Sequence, residues 1–176
     1  RAVVTATRTT LAACSPVPPI VAVAVTSQYM STIPVAADGR PTGPCVLWMD
    51  SRGAEHNLSL LSDESFMLFV GRHGLIPLPS GSDNIAHAHV VETFHPEAYA
   101  AAVALVEPMD YLNARLTGRV CATQSTAFGQ LVCDNRTWGA TDYDPELVAA
   151  TRLRPDKLAP LVQMHGVIGE VTSTAA

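Results

Sequence analysis

The sequence predicts an α/β fold, a mixed sheet with helices packed against it. Residues 20–25 (IVAVAV) form a continuous apolar run rich in β-branched side chains, the composition of a strand covered on both faces. Residues 31–37 and 44–49 read as two further strands joined through Asp38-Gly39, a strong hairpin signal. From Asp50 onward the pattern becomes mostly helical, and no linker-like tract marks a second domain. The first and last of these strands run into polar residues, Thr26-Ser27-Gln28 and Asp50-Ser51-Arg52. Polar residues at strand ends are how an α/β protein builds a ligand site.

Each element has its own local reason. Residues 1–13 are loosely helical, with Val3, Val4, Leu11 and Ala12 as the apolar positions and threonines weakening the pattern. Pro16, Pro18 and Pro19 then stop any helix. The strand at 31–37 carries Pro34, which suits an edge or a bulge. Asp50 or Ser51 is placed to cap a helix running toward Leu61, with Glu55 near its positive end. A short helix over 63–70 ends at Gly71 and Gly74, and 75–83 (LIPLPSGSD) reads as loop. In FHPEAYAAAVALVEP, Pro96 suits a first turn, and Tyr99, Ala102, Val103 and Val106 recur at helical spacing. Residues 109–116 form another helix, closed by Gly118. Residues 120–133 read as loop with some strand. Asp144-Pro145-Glu146 opens a helix through about Arg152, with Asp as cap, Pro in the first turn and Glu facing the dipole. Residues 154–160 are turn-like, and 167–171 read as a last strand.

Composition excludes several classes of function. The chain has 176 residues, 48% of them hydrophobic, so it can bury a sizeable core. Its net charge is −5 and its 11 Lys and Arg are scattered singly, which disfavours nucleic-acid and anionic-membrane surfaces. Its longest apolar run, 18–25, falls far short of the roughly 18 residues a membrane helix needs. Cys14, Cys45, Cys121 and Cys133 include no C-x-x-C pair and read as buried free thiols of a reducing, cytoplasmic setting. His87, His89 and His95 invite a metal-dependent hydrolase reading. On a helix, however, positions i and i+2 point to opposite sides, and no H-E-x-x-H pattern supports a ligand set. The chain opens on Arg1 and closes on Ala176 with neither a signal-peptide pattern nor a capping helix, so the expectation is a partial chain.

Thr26-Ser27-Gln28, Asp38-Gly39-Arg40-Pro41, Trp48-Met49-Asp50-Ser51-Arg52, Asp110-Tyr111-Leu112 and Leu116-Thr117-Gly118 follow one another in this order. Tyr143-Asp144-Pro145-Glu146-Leu147, Lys157-Leu158 and Gly169-Glu170-Val171 continue the series. With these motifs in this order the chain resembles the FGGY carbohydrate kinases, most closely their xylulokinase-like members. That resemblance implies an actin-like, ribonuclease H-like fold in two lobes, with ATP, Mg2+ and sugar bound between them. Residues 1–176 are then expected to be an incomplete N-terminal, sugar-binding domain, without the family's opening phosphate hairpin and its second lobe. The family's general-base Asp is expected beyond Ala176, so no catalytic residue is assigned within the chain. ATP-dependent phosphorylation of a pentulose such as xylulose by the complete enzyme, in the cytoplasm and as a homodimer, is the implied activity, with glycerol, ribulose or erythritol as the other candidate substrates. A truncated chain that binds sugar without turnover is the alternative.

The chemistry of sugar recognition agrees with the same stretch. A polyol presents hydroxyl edges and C–H faces, so its site needs hydrogen-bonding groups and an apolar wall. Gln28, Asp50 and Arg52 supply the former and Trp48 the latter. The resemblance adds Tyr29 and Met30, the two residues after the Gln, as substrate contacts. Xylulokinases tend to carry Met-His there and glycerol kinases Arg-Glu, so Tyr29-Met30 leaves the choice among xylulose, ribulose, glycerol and erythritol open. Blander roles remain beside these: Trp48 as strand-end core, Asp50 as helix cap, Arg52 in a surface ion pair, Asp110-Tyr111 as structural.

Overall fold

The structure, a computed structural model, describes residues 2–17 and 19–175. Arg1, Pro18 and Ala176, which enter the readings of the chain ends and of the proline stop, lie outside the described residues. The elements in order are α1 (Ala2–Ala12), β1 (Ile33–Val35), α2 (Ala54–Leu60), α3 (Asp63–Leu68), α4 (Asn84–Phe94), α5 (Pro96–Ala101), β2 (Ala104–Val106), α6 (Pro108–Thr117), β3 (Ala122–Thr123), α7 (Pro145–Thr151) and β4 (Leu161–Val162). Strands β1 and β2 pair antiparallel, with Ile33 opposite Val106 and Val35 opposite Ala104. Strands β3 and β4 pair parallel. The result is a mixed α/β architecture with two small sheets.

The β1–β2 pair sits at the centre because its two faces bury different layers. Ile33, Val35, Ala104 and Val106 pack with Ala122 and Ala159 on one side. Leu105 points the other way, among Val46, Ala88, Val90, Val91 and Tyr99. That alternation is the period of two that a pleated strand imposes. Helix α4 is the principal cover: Ile85, Ala86, Val90 and Val91 are all fully buried. Burial of each large side chain of this kind contributes about 1.5–3 kcal/mol. Ile85 also joins Leu60, Phe69, Leu131 and Leu147, which ties α2 and α7 to the same core.

Several local signals act as read. Asp144 caps α7, accepting from the Glu146 and Leu147 amides at 2.9 and 3.0 Å. Gly118 ends α6 in the left-handed conformation (φ +72) that a non-glycine residue adopts at a cost. Residues 38–39 form the turn, with the Gly39 amide donating to the Ala36 carbonyl. Helix α1 exists but buries nothing.

Four expectations are corrected. Residues 20–25 form no strand: the run is irregular and largely exposed, with Val21 94% accessible. A β-branched run becomes a strand only where a neighbouring strand accepts its hydrogen bonds, and none among the described residues does. Residues 44–49 touch the sheet at one point only, where Val46 bridges Thr32. Residues 102–106 leave the helix and become β2, because the Val103 amide donates to the Val35 carbonyl at 2.8 Å and tertiary pairing overrides the helical spacing. Residues 167–171 are irregular, and the last strand is β4, ten residues or fewer upstream of them. The thiols divide: Cys121 and Cys133 are buried, whereas Cys14 and Cys45 are exposed.

Candidate functional site

The chain entering β1 carries Gln28, Tyr29 and Met30, and the chain leaving Val46 carries Trp48, Asp50 and Arg52. Thr32 and Val46 exchange both amide–carbonyl bonds, at 2.8 and 2.9 Å. This antiparallel bridge holds both segments at the same end of the sheet. Gln28 donates from Nε2 to Ser31 Oγ at 2.8 Å. Tyr29 leans its ring on Phe128, with centroids 6.5 Å apart. Burial pushes its phenol well above the ordinary range, with the charges of Glu107 and Asp83 adding to the effect, so Tyr29 remains an O–H donor. Met30 lies between them and β1 with φ +54, a strained left-handed backbone for a residue with a side chain. Strain of this kind persists where surrounding structure fixes it and clusters at ligand sites.

The second segment is arranged differently from expectation. Asp50 does not cap α2; the cap position is Gly53, which has no side chain to offer. Asp50 instead closes a turn on Arg52, accepting from its amide at 3.1 Å and from Nη2 at 2.6 Å. The Arg52 side-chain hydrogen bond holds the Asp50 carboxyl below its ordinary range. The guanidinium also lies 4.9 Å from the centre of the Phe94 ring. Trp48 is 52% exposed and so is not strand-end core. Its indole face is free to meet a ligand.

Beneath both segments lies a polar layer that the sequence did not announce. Asp83, fully buried, caps α4 through the Ala86 amide and also accepts from the Leu78 amide and from Asn57 Nδ2. Asn84 donates to the Ser31 carbonyl and to Thr32 Oγ1. His87, also fully buried, faces Thr32 Oγ1 at 3.5 Å and sits beside the Asp50 backbone. It therefore connects the two segments from below. Burial keeps His87 below the ordinary histidine pKa, so it is neutral at pH 7. Glu107 accepts from the Ser31 amide through Oε2, and its other oxygen, Oε1, is buried without a partner. A Ser-Asp-Asn run is a visible helix start, but nothing in the sequence marks Glu107, which precedes Pro108 like an ordinary dipole-facing acid.

A pocket of about 150 Å3 opens beside Tyr29, walled by Gln28, Met109 and Ser125. Its most buried lining residues are Glu107 and Thr126, at 4% and 8% exposure. The structure thus brings Gln28 and Tyr29 together around one pocket, with Met30 next in the chain, and ties Asp50 to Arg52, while Trp48, Asp50 and Arg52 do not line that pocket. The three histidines do not converge: His89 stacks on His56 at 4.2 Å, away from the buried contacts of His87. Among the described residues no group of three His, Cys, Asp or Glu side chains is placed to hold a metal ion. Nor is any helix among them long and apolar enough to cross a membrane.

The family described as FGGY family of carbohydrate kinases, N-terminal domain, matches residues 2–176. The chain belongs to the FGGY carbohydrate kinases. The xylulose kinase of Streptomyces coelicolor is 30% identical to this FGGY chain over 153 residues, which is 85% of the chain and 30% of that protein. The crystal structure of a xylulose kinase from Rhodospirillum rubrum shares its fold with a TM-score of 0.79 at 22% identity, covering 100% of this chain and 35% of the other. That of a gluconate kinase from Lactobacillus acidophilus does so at 0.69 and 19% identity, covering 90% of this chain and 31% of the other. At such identities the likeness shows the fold, which is the actin-like ATPase architecture expected from the motif order. The FGGY chain spans about a third of the length of the curated relatives it matches.

Proposed function

We propose that this FGGY chain is the sugar-binding part of an ATP-dependent carbohydrate kinase, and that its substrate is a pentulose such as xylulose. The match of residues 2–176 to the FGGY N-terminal domain carries this reading, and the similarity to a xylulose kinase favours the pentulose. The pocket beside Tyr29 supports it by size. At about 150 Å3 it holds the liquid volume of about five waters, suited to one end of a polyol and too small for a nucleotide.

Gln28 and Tyr29 bring an amide and a phenol to that pocket, and Met30 fixes the backbone between them and β1. Trp48 offers the flat apolar face on which sugar C–H groups pack. Asp50 and Arg52 present a coupled acceptor and donor on the segment bridged to the chain entering β1. Phosphoryl transfer requires in addition an in-line nucleotide, metal and a base. ATP and Mg2+ would supply the phosphoryl group and neutralise its charge. The described residues form no metal-holding cluster, and no GxxxxGK or GxGxxG loop is present to cradle phosphates. This reading gives the described residues the part of recognising the sugar.

The test is a calorimetric titration of the purified 176-residue chain with xylulose, ribulose, glycerol and erythritol, run beside a phosphorylation assay with ATP and Mg2+. Xylulose should bind most tightly, with no phosphorylated product. A glycerol preference would sink the pentulose assignment, and turnover by this chain alone would overturn the division of roles.

A further inference from the structure

Glu107 stands out among the polar groups of the pocket. It is 96% buried by its 4% residual exposure, yet it lines the pocket beside Tyr29. One carboxylate oxygen is satisfied by the Ser31 amide at 3.3 Å. The other, Oε1, has no partner among the described residues. An unpaired buried oxygen is destabilising, more so when charged, and persists where something else satisfies it or where function requires it. The Asn84 side chain and the Met30 backbone also approach the carboxyl and draw its pKa down, but they bring no opposite charge. Tyr29 lines the same pocket, Cys45 lies within reach of its charge, and Asp110 follows in the first turn of α6. None of the three is a cation.

We propose that Glu107 is the specificity-determining residue of this pocket, hydrogen-bonding a hydroxyl of a neutral polyol through its carboxyl group and repelling sugar acids by its charge. A hydroxyl can donate to the ionised carboxylate or accept from the neutral acid, so a neutral sugar is served in either state. An aldonate such as gluconate brings a second negative charge into a site already holding one, and like charges brought together there cost several kcal/mol. The chemical class selected is therefore an uncharged polyhydroxy compound. The assignment rests on reading the pocket as a sugar site.

The experiment compares xylulose and gluconate binding by calorimetry at pH 8 for the wild-type chain, Glu107→Gln and Glu107→Leu, each checked for folding by thermal melting. Burial pushes the Glu107 carboxyl up to about 7, so it is largely ionised at pH 8. Glu107→Gln keeps an acceptor and removes the charge, and should raise gluconate affinity about tenfold or more while leaving xylulose within a few-fold. Glu107→Leu removes the hydrogen bond and should lose xylulose about tenfold or more. An unchanged xylulose-to-gluconate ratio in Glu107→Gln overturns the role of Glu107 while leaving the sugar site standing. Absence of any sugar binding by the wild-type chain overturns the underlying reading instead. A measurement on the unmutated chain guards against a misfolded variant: with 13C-carboxyl glutamate, the resonance titrating near 7 should shift on adding xylulose, and a silent resonance in a chain that binds xylulose also rejects the proposal.

Discussion

An alanine at Gly129 would place its Cβ 2.0 Å from Asn84 Oδ1 and 3.1 Å from the Asn84 amide carbon. Asn84 cannot swing away freely, because its Nδ2 holds both the Ser31 carbonyl and Thr32 Oγ1. Gly129→Ala should therefore destabilise the protein by about 1–3 kcal/mol in urea unfolding, the cost of overpacking. It should also weaken sugar binding, since Ser31 in turn supports Gln28 and Glu107. Unchanged stability with unchanged binding would show that the Asn84 layer does not support the pocket. At this scale the sequence was half legible. Gln28 and Tyr29 could be placed at a site because a polar tip after an apolar run and a family motif both mark them. Glu107, Asn84 and His87 could not, because they lie 52 or more residues from their partners at 31–32, and Gly129 could not because its neighbour Asn84 is likewise remote in sequence; only folding brings them together.

At the scale of single elements, α7 shows what local chemistry determines. Asp144-Pro145-Glu146 is a helix start in any context, and the structure adds one contact the sequence could not show. Arg72 reaches across to bond Asp144 Oδ2 and Glu146 Oε1, each at 2.7 Å. Burial alone would raise the Asp144 carboxyl, but the Arg72 hydrogen bond and the Leu147 amide outweigh it and hold the carboxyl below its ordinary range. A depressed folded-state pKa contributes stability above the ordinary carboxylate range and loses it as pH falls through the folded value. Asp144→Ala should thus cost about 0.5–2 kcal/mol at pH 7 for the cap, while Arg72 keeps Glu146 as its remaining partner. The difference from wild type should shrink on acidification, as read by urea midpoints. A pH-independent difference would assign the loss to packing. Residues 102–106 show the limit of local reading: Ala102, Val103 and Val106 have helical spacing, yet β1 supplies a strand partner for 104–106, and pairing prevails.

For the molecule as a whole, two buried acids set the pH response. Burial pushes Asp110 up to about 7, opposed by the Thr126 hydroxyl and reinforced by the charge of Glu107. Glu107 is pushed to about 7 by its own burial. Between the ordinary carboxylate range and 7 the folded chain holds protons that the unfolded chain has released, so rising pH removes stability across that window. Histidines act in the opposite sense. Burial lowers His56 to about 4 and also lowers His73 and His87, so their contribution grows as pH rises and is complete above the ordinary histidine value of 6.5. Asp110→Asn, which removes the charge, should melt higher than wild type at pH 8, and the gap should close near pH 4. A gap constant across that range would mean that Asp110 is not protonated differently in the folded chain.

The sequence by itself determined the α/β class, the start of α7 and the end of α6, and membership of the FGGY carbohydrate kinases, because caps, turns and motif order are written locally along the chain. Its motif order also named Gln28, Tyr29, Met30, Trp48, Asp50 and Arg52 as the candidate sugar contacts. Only the tertiary structure decided that residues 20–25 lack a strand partner, that Asp50 is engaged with Arg52 rather than with α2, and that Glu107 lies buried against Ser31 with one oxygen unsatisfied. Pairing, burial and charge neutralisation depend on residues far apart in the chain, and their energies exist only once the chain has closed on itself.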